Sequence, residues 1–148
     1  MIVIIDYGLG NLASVKNMLK KVGVESIISN KEEDILNAEK LVLPGVGHFA
    51  KGMQELVDKS LINILNKRVI EDKIPILGIC LGMQLMTNYS EEGDVKGLGW
   101  IDAETVKFNI ENPKLKIPHM GWADVNFTNS AIFDELPRFY FVHSYKVI

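Results

Sequence analysis

Cysteine is the scarcest reactive residue in this chain, with one, Cys80, in 148 residues. A single thiol excludes an intramolecular disulfide, a CxxC redox pair and a cysteine-built zinc site. Histidine is nearly as scarce: there are three, His48, His119 and His143, and no two are spaced as metal ligands on one helix. Neither a metal nor a cofactor is expected. Lys and Arg form no cluster and the net charge is −3, which argues against nucleic acid and anionic membranes as partners. Nor does any apolar run approach the roughly 18–20 residues that span a bilayer. The first five residues, Met1 to Ile5, read as a strand and not as the charged start of a signal peptide. The expected compartment is the cytoplasm.

What is present is an ordinary folding core. Hydrophobic residues make up 47% of the chain and charged ones 24%, so one domain over residues 1–148 is expected, without repeats, low-complexity tracts or a linker. Met1–Asp6 is apolar and β-branched, the signature of a buried parallel strand. Asn11 is placed to cap a helix whose apolar residues Leu12, Val15, Met18, Leu19 and Val22 share a face, and Gly23 stops it. Strands follow at Val24–Ser29 and Leu41–Leu43, then the turn-rich loop Pro44 to Gly47. A helix of roughly 15 residues is predicted next, burying Met53, Leu56, Val57, Leu61, Ile64 and Leu65. A strand ending at Cys80 and another helix complete a β-α-β-α-β-α-β-α order. That order specifies an α/β fold, a doubly wound, mostly parallel sheet with helices on both faces. Weaker strand patterns at Trp100–Asn109, Ala123–Phe127 and Arg138–Val142 predict an antiparallel extension. The chain stops in mid-strand on apolar residues, which suggests that sequence beyond Ile148 is missing.

The stretch that carries chemistry is Gly78-Ile79-Cys80-Leu81-Gly82. A G-x-C-x-G between a short apolar strand and a helix is the thiol form of the nucleophile elbow, a sharp turn that lifts one side chain clear of the sheet. Cys80 then sits at a helix start, where free N–H groups and the helix dipole favour a thiolate. The N–H of Leu81 is placed to bind a developing oxyanion, and the glycine loop Pro44 to Gly47 on the neighbouring strand can aim a second one. Gln84, one helical turn after Cys80, faces the same way and can meet a polar substrate. Each residue also has a plainer reading. A lone cysteine in an apolar run is a small buried hydrophobe, Gln84 a solvated helix residue, and each histidine a structural hydrogen-bonder. Gly8-Leu9-Gly10-Asn11-Leu12-Ala13 fits a dinucleotide fingerprint, but the second strand ends without the carboxylate that takes a ribose hydroxyl. A tight capped turn is the alternative.

Five segments occur together in order: Asp6 to Asn11, Pro44 to His48, Gly78 to Gln84, Pro118 to Trp122, and Phe141 to Tyr145. The combination resembles the class I, triad-type glutamine amidotransferases, and more closely their branch of glutaminase subunits serving imidazole glycerol phosphate synthase in histidine biosynthesis. The resemblance implies that Cys80 attacks the carboxamide of glutamine, forming a glutamyl thioester and releasing ammonia to a (βα)8-barrel cyclase partner in a heterodimer. There ammonia yields imidazole glycerol phosphate and the aminoimidazole carboxamide ribonucleotide. It further implies oxyanion donors around Val46, Gly47 and Leu81, and glutamine-holding positions at Gln84, Glu92, His143, Ser144 and Tyr145. Asn11 and Pro118, His119, Met120, Gly121 and Trp122 would face the synthase.

One departure stands beside the match. The family takes its base and orienting acid from a His-Pro-Glu segment beyond the Tyr145 strand, and no His-x-Glu occurs in these 148 residues. The domain is therefore expected to be incomplete at its C-terminal end, and the chain alone to be a poor glutaminase. Alternatives are a paralogous amidotransferase of a surface-sugar pathway, a cysteine-elbow hydrolase of another kind, and a non-catalytic binding partner.

Overall fold

A computed structural model describes residues 1–109, 116–126 and 138–148. The chain divides into two compact units, one of residues 1–105 with 147–148, the other of residues 106–146.

The first unit is built on four parallel strands, β1 (Ile2–Ile5), β2 (Ser26–Ser29), β3 (Lys40–Gly45) and β4 (Ile76–Cys80), in the order β2-β1-β3-β4. The order reverses between β1 and β3, the switch point where doubly wound sheets open a crevice at the carboxyl ends of their strands. Helix α1 (Leu12–Lys21) links β1 to β2, and α2 (Glu32–Leu36) precedes β3. Between β3 and β4 run α3 (Phe49–Asp58), α4 (Leu61–Asn66) and a wide π turn over Lys67–Glu71, and α5 (Leu81–Leu85) follows β4. One sheet face, carrying Val3, Ile5, Leu41 and Leu43, packs with Phe49, Leu56, Leu65, Leu81 and Leu85 into the main core. Burying side chains of this size, at ~1.5–3 kcal/mol each, is what holds the unit together.

Several expectations need correction. The helix predicted after residue 47 is broken at Ser60, which adopts φ 56° and ψ 29°. Its two pieces keep the apolar period but change axis, and Val57 ends exposed. The third strand runs on to Gly45, so Pro44 and Gly45 are sheet residues and not loop. Proline is tolerated there because pairing with β1 ends at Val42, so no ladder bond needs an N–H at position 44. The strand ending at Cys80 is not buried on both faces: it lies at the sheet edge, and Leu77 is 58% exposed. The apolar stripe of α1 is likewise open, since no α1 residue is buried. Val15, Met18, Leu19 and Val22 face Val42, Leu77 and Ile79 across an apolar groove of about 350 Å³. Helix α5 is also shorter than its sequence suggests, at five residues.

Strands β5 (Tyr89–Ser90), β6 (Val95–Lys96) and β7 (Glu104–Lys107) follow, β5 pairing antiparallel with β6 and parallel with β7. The half-exposed strand expected over Trp100–Asn109 thus reduces to its middle. Buried Thr87 ties this region to α5 through Gln84 O at 2.8 Å and Thr105 Oγ1 at 3.1 Å.

Arg68 is a structural tie of the same unit. Its Nε and Nη2 donate to the carbonyls of Ile35 (3.2 Å) and Ala38 (2.6 Å), closing the carboxyl end of α2. Arg68→Met keeps most of the stem but orphans two carbonyls, so a loss of about 2 kcal/mol is expected in urea denaturation. A change under about 0.5 kcal/mol would show that water replaces the guanidinium freely.

The second unit is an antiparallel pair, β8 (His119–Asp124) and β9 (Arg138–His143), in register from His119 opposite His143 to Asp124 opposite Arg138. The last strand is β10 (Tyr145–Val147). Strand β8 begins four residues before the predicted Ala123 and ends at Asp124, and Phe127 lies outside the described residues. Alternation puts Met120, Trp122, Tyr140 and Val142 on one exposed face, with Trp122 and Tyr140 edge to face at 5.6 Å.

Candidate active site

Cys80 ends β4 with φ 53° and ψ −116°, a backbone combination that non-glycine residues rarely hold. Four residues of the first unit other than glycine have positive φ, and Cys80 is one of them. Its side chain is exposed. The plain reading of Cys80 as a buried hydrophobe therefore fails. Flanking glycines make the turn possible: a Cβ on Gly78 would lie 2.7 Å from Met83 N, and one on Gly82 would overlap the carbonyl oxygen of Leu43.

The sheet register sets Gly45 opposite Cys80. Val46 and Gly47 therefore leave the sheet beside the cysteine. Val46 is 56% exposed, Gly47 has φ 111°, and a Cβ on Gly47 would meet nothing within 4 Å. On the other side of Cys80, Leu81 starts α5 with its side chain buried. Gln84 is half-buried on the same short helix.

Glu92 reaches this neighbourhood from the loop after β5. Its Oε2 accepts from Phe49 N at 2.9 Å, at the first residue of α3. Its own N–H donates to the buried Ser90 hydroxyl at 3.0 Å. A carboxylate at a helix N-terminus is stabilised by the unpaired N–H groups there. Among the described residues Oε1 carries no hydrogen bond. His48 is the N-cap of the same helix, its Nδ1 accepting from Ala50 N at 3.2 Å. The structural reading of His48 holds. Asn11 caps α1 as its sequence suggests, Oδ1 accepting from Ser14 N at 3.2 Å. Gly10 lies against the backbone of Pro44 and Gly45, where an added Cβ would come within 3.3–3.5 Å. The first glycine loop is thus packed against the second, and the fingerprint-like Gly8–Ala13 segment is the tight capped turn.

In the second unit, His143 Nδ1 donates to the carbonyl of Tyr145 at 2.9 Å, since a carbonyl only accepts. A neutral His143 then accepts at Nε2 from His119 Nδ1, 3.0 Å away. Phe108 packs edge-on against His143 at 4.9 Å, and its N–H donates to Ser144 O at 3.0 Å. Both ring nitrogens of His143 are committed. Pro118, Met120 and Trp122 are exposed, and His119 and Gly121 half-buried.

Sequence reasoning missed Tyr7. It is fully buried, and its hydroxyl has no hydrogen-bond partner among the described residues. Burial, and second the charge on Cys80, push its phenol far above the usual range. The only signal was position: an aromatic at a strand end just before a glycine pair. Among the described residues there is no His/Cys/Asp/Glu group able to hold a metal and no helix long and apolar enough to cross a membrane.

The model of the family described as glutamine amidotransferase class-I matches residues 3–148. The whole chain is 58% identical to a protein of Methanococcus maripaludis named imidazole glycerol phosphate synthase subunit HisH 2, and 48% identical to a protein of the same name from Pseudomonas aeruginosa. It spans 75% of the length of each. Among solved structures, a crystal structure titled glutamine amidotransferase superposes with TM-score 0.66 at 17% identity, over 84% of this chain and 64% of that one. A Thermoplasma acidophilum structure described as a putative GMP synthase component gives TM-score 0.64 at 22% identity, over 99% and 66%. At those identities the structural likeness is evidence of fold.

Proposed function

The chain belongs to the class-I glutamine amidotransferase family, and on that premise we propose that it is the glutaminase part of an imidazole glycerol phosphate synthase in histidine biosynthesis. The observation that carries the reading is the exposed Cys80 on a positive-φ elbow, opposite Gly45 in the sheet. The sulfur attacks the carboxamide carbon of glutamine, and the carbonyl oxygen becomes an oxyanion. Backbone N–H groups of Leu81 and of Val46–Gly47 bind that oxyanion, stabilisation that acts mainly in the transition state. Collapse expels ammonia and leaves a glutamyl thioester, and water releases glutamate.

Gln84, Glu92, His143, Ser144 and Tyr145 are the proposed glutamine holders. Glu92 suits the α-ammonium, because Phe49 N occupies one of its oxygens and leaves the other for a ligand. That geometry favours Glu92 over Glu91 for the role. His48 caps α3, and His119 and His143 bond each other. None of the three is therefore assigned the proton that ammonia needs on leaving. The two units act as one amidotransferase domain in this reading. The exposed face of Met120, Trp122, Tyr140 and Val142, an aromatic patch bordered by the Asp124–Arg138 ion pair, is proposed to dock a (βα)8-barrel cyclase, and Asn11 of the first unit is proposed separately as a docking residue. Docking delivers ammonia to the partner without loss to solvent. Neither nucleic acid nor membrane enters the reading, and the cytoplasm is its compartment.

The test is labelling of Cys80 by a glutamine-like chloroketone, read by mass spectrometry. Free glutamine is expected to slow it, and an equal concentration of glutamate to do so less. Glu92→Gln keeps an oxygen for Phe49 N but loses the charge, so protection by glutamine is expected to weaken about tenfold at unchanged folding stability. Glu92→Ala loses the helix contact as well and costs about 1 kcal/mol. Labelling indifferent to glutamine sinks the glutaminase reading and favours a binding module with an exposed thiol.

A further inference from the structure

The carboxylate of Glu92 is held in place by a turn, and the turn by one buried side chain, Ser90. Ser90 ends β5, where it pairs with Thr105 of β7 and Val95 of β6, and it is 0% exposed. Its Oγ accepts from Glu92 N at 3.0 Å, a hydroxyl closing a turn on the backbone two positions later. Glu91 N donates to Thr105 O at 3.0 Å and Gly93 N to Glu91 O at 2.9 Å, so every N–H from 91 to 93 is partnered. Two of those three bonds are backbone to backbone and survive any side-chain change. Only the bond at Glu92 depends on a side chain, and it acts on the residue that carries the carboxylate.

The same turn is seated on the start of α3. Glu92 Oε2 accepts from Phe49 N at 2.9 Å, and a Cβ on Gly93 would lie 2.6 Å from Ala50 Cβ and 2.9 Å from His48 Cε1. Phe49 N is among the first N–H groups of its helix, which find no partner inside it, and Glu92 supplies the acceptor. Phe49 stands four residues after Gly45, the sheet partner of Cys80. A carboxylate fixed there has one oxygen bound to the helix, and the other, Oε1, carries no hydrogen bond among the described residues.

We propose that Ser90 is a positioning residue for substrate selection, its buried hydroxyl fixing the turn that sets the Glu92 carboxylate at Phe49 N and leaves Oε1 for the substrate's α-ammonium. This rests on the reading of Glu92 as a glutamine holder. Without the hydroxyl, Glu92 N–H turns to water and the carboxylate samples other positions, so its contact with a charged amine weakens. Contacts with the carboxamide lie elsewhere and stay. A carboxamide that lacks the α-amino group makes no use of Glu92 and is therefore indifferent to Ser90.

The experiment measures alkylation of Cys80, the only cysteine, by iodoacetamide, and how far two ligands slow it. One ligand is glutamine and the other 4-carbamoylbutanoate, the same molecule without its α-amino group. Ser90→Ala is expected to weaken protection by glutamine about fivefold, while protection by 4-carbamoylbutanoate and the rate without ligand stay unchanged. Adding Ser90→Ala to Glu92→Gln should alter glutamine protection less than about twofold, because the two residues act through one contact. Exchange of the Phe49 amide, followed by NMR, is a readout that needs no ligand, and Ser90→Ala should speed it about fivefold. Ser29→Ala is the matched control. Ser29 Oγ also accepts from the backbone two positions on, at Lys31 N (3.1 Å), and its loss should change neither the glutamine preference nor Phe49 exchange. Equal weakening for both ligands, unchanged protection by glutamine, unchanged Phe49 exchange, full additivity with Glu92→Gln, or a Ser90→Ala chain that fails to fold would each overturn the proposal. Faster Phe49 exchange in a protein that neither ligand protects would uphold the hold of Ser90 on Glu92 while removing the glutaminase reading.

Discussion

Gly82→Ala is expected to cost about 4 kcal/mol or more, among the largest effects of any single substitution in this chain. An added Cβ would overlap Leu43 O and lie 2.6 Å from the Leu43 carbonyl carbon and 3.2 Å from that of Pro44. Those atoms are backbone of β3, paired there with β4, and cannot swing away as a side chain would. Relief requires α5 to back off the sheet, which opens the packing of Leu81 and Leu85 and displaces Cys80 with them. Gly23→Ala is the matched control. It has φ 77°, but its Cβ would meet nothing within 4 Å, so only the ~1 kcal/mol of left-handed strain remains. Urea midpoints of the two variants decide the matter. A Gly82→Ala loss no larger than that of Gly23→Ala would mean that helix and strand at the elbow are not in rigid contact.

Cys80→Gly is expected to abolish labelling by the glutamine analogue while raising stability by about 1 kcal/mol. The backbone at Cys80, φ 53° and ψ −116°, costs a side-chain-bearing residue on the order of 1–3 kcal/mol, and glycine bears no such strain. Glycine returns part of the gain through the larger entropy of its unfolded chain. Little packing is lost, because the cysteine side chain is exposed. Cys80→Ala separates the two effects: it loses labelling equally but keeps the strain, so its stability stays near wild type. A Cys80→Gly protein less stable than Cys80→Ala would show that the elbow is relaxed, and that the thiol is not held by strain for attack.

Much of the site was legible because its signals are local. The glycines at 78 and 82 announce a turn that no larger residue fits, and the turn lies between a strand and a helix whatever packs around them. The order of strands and helices follows from hydrophobic period, and with right-handed crossovers it puts the carboxyl ends of β3 and β4 side by side. That adjacency brings Val46 and Gly47 to Cys80. Asn11 as a cap was readable from its type and place.

Other features came from contacts between residues far apart in sequence. Glu92 accepts from Phe49 N across 43 positions, a pairing that no spacing rule encodes. That His48 is a helix cap and His143 half of a histidine pair is likewise not encoded in their spacing. The apolar stripes of α1 and β4 obeyed the period for burial, yet period records which face is apolar and not whether anything covers it. Ser60, in a left-handed backbone conformation, breaks a helix whose apolar pattern runs through unbroken. Tyr7 gave no chemical signal at all; only the fold removes its hydroxyl from water. By itself the sequence determined the family, the strand-and-helix order and the nucleophilic turn, all of which rest on residue type over a few neighbouring positions. Tertiary structure alone decided which polar groups are spent on holding helices and which keep an oxygen open to a ligand, because burial and hydrogen-bond partnership belong to the packed chain.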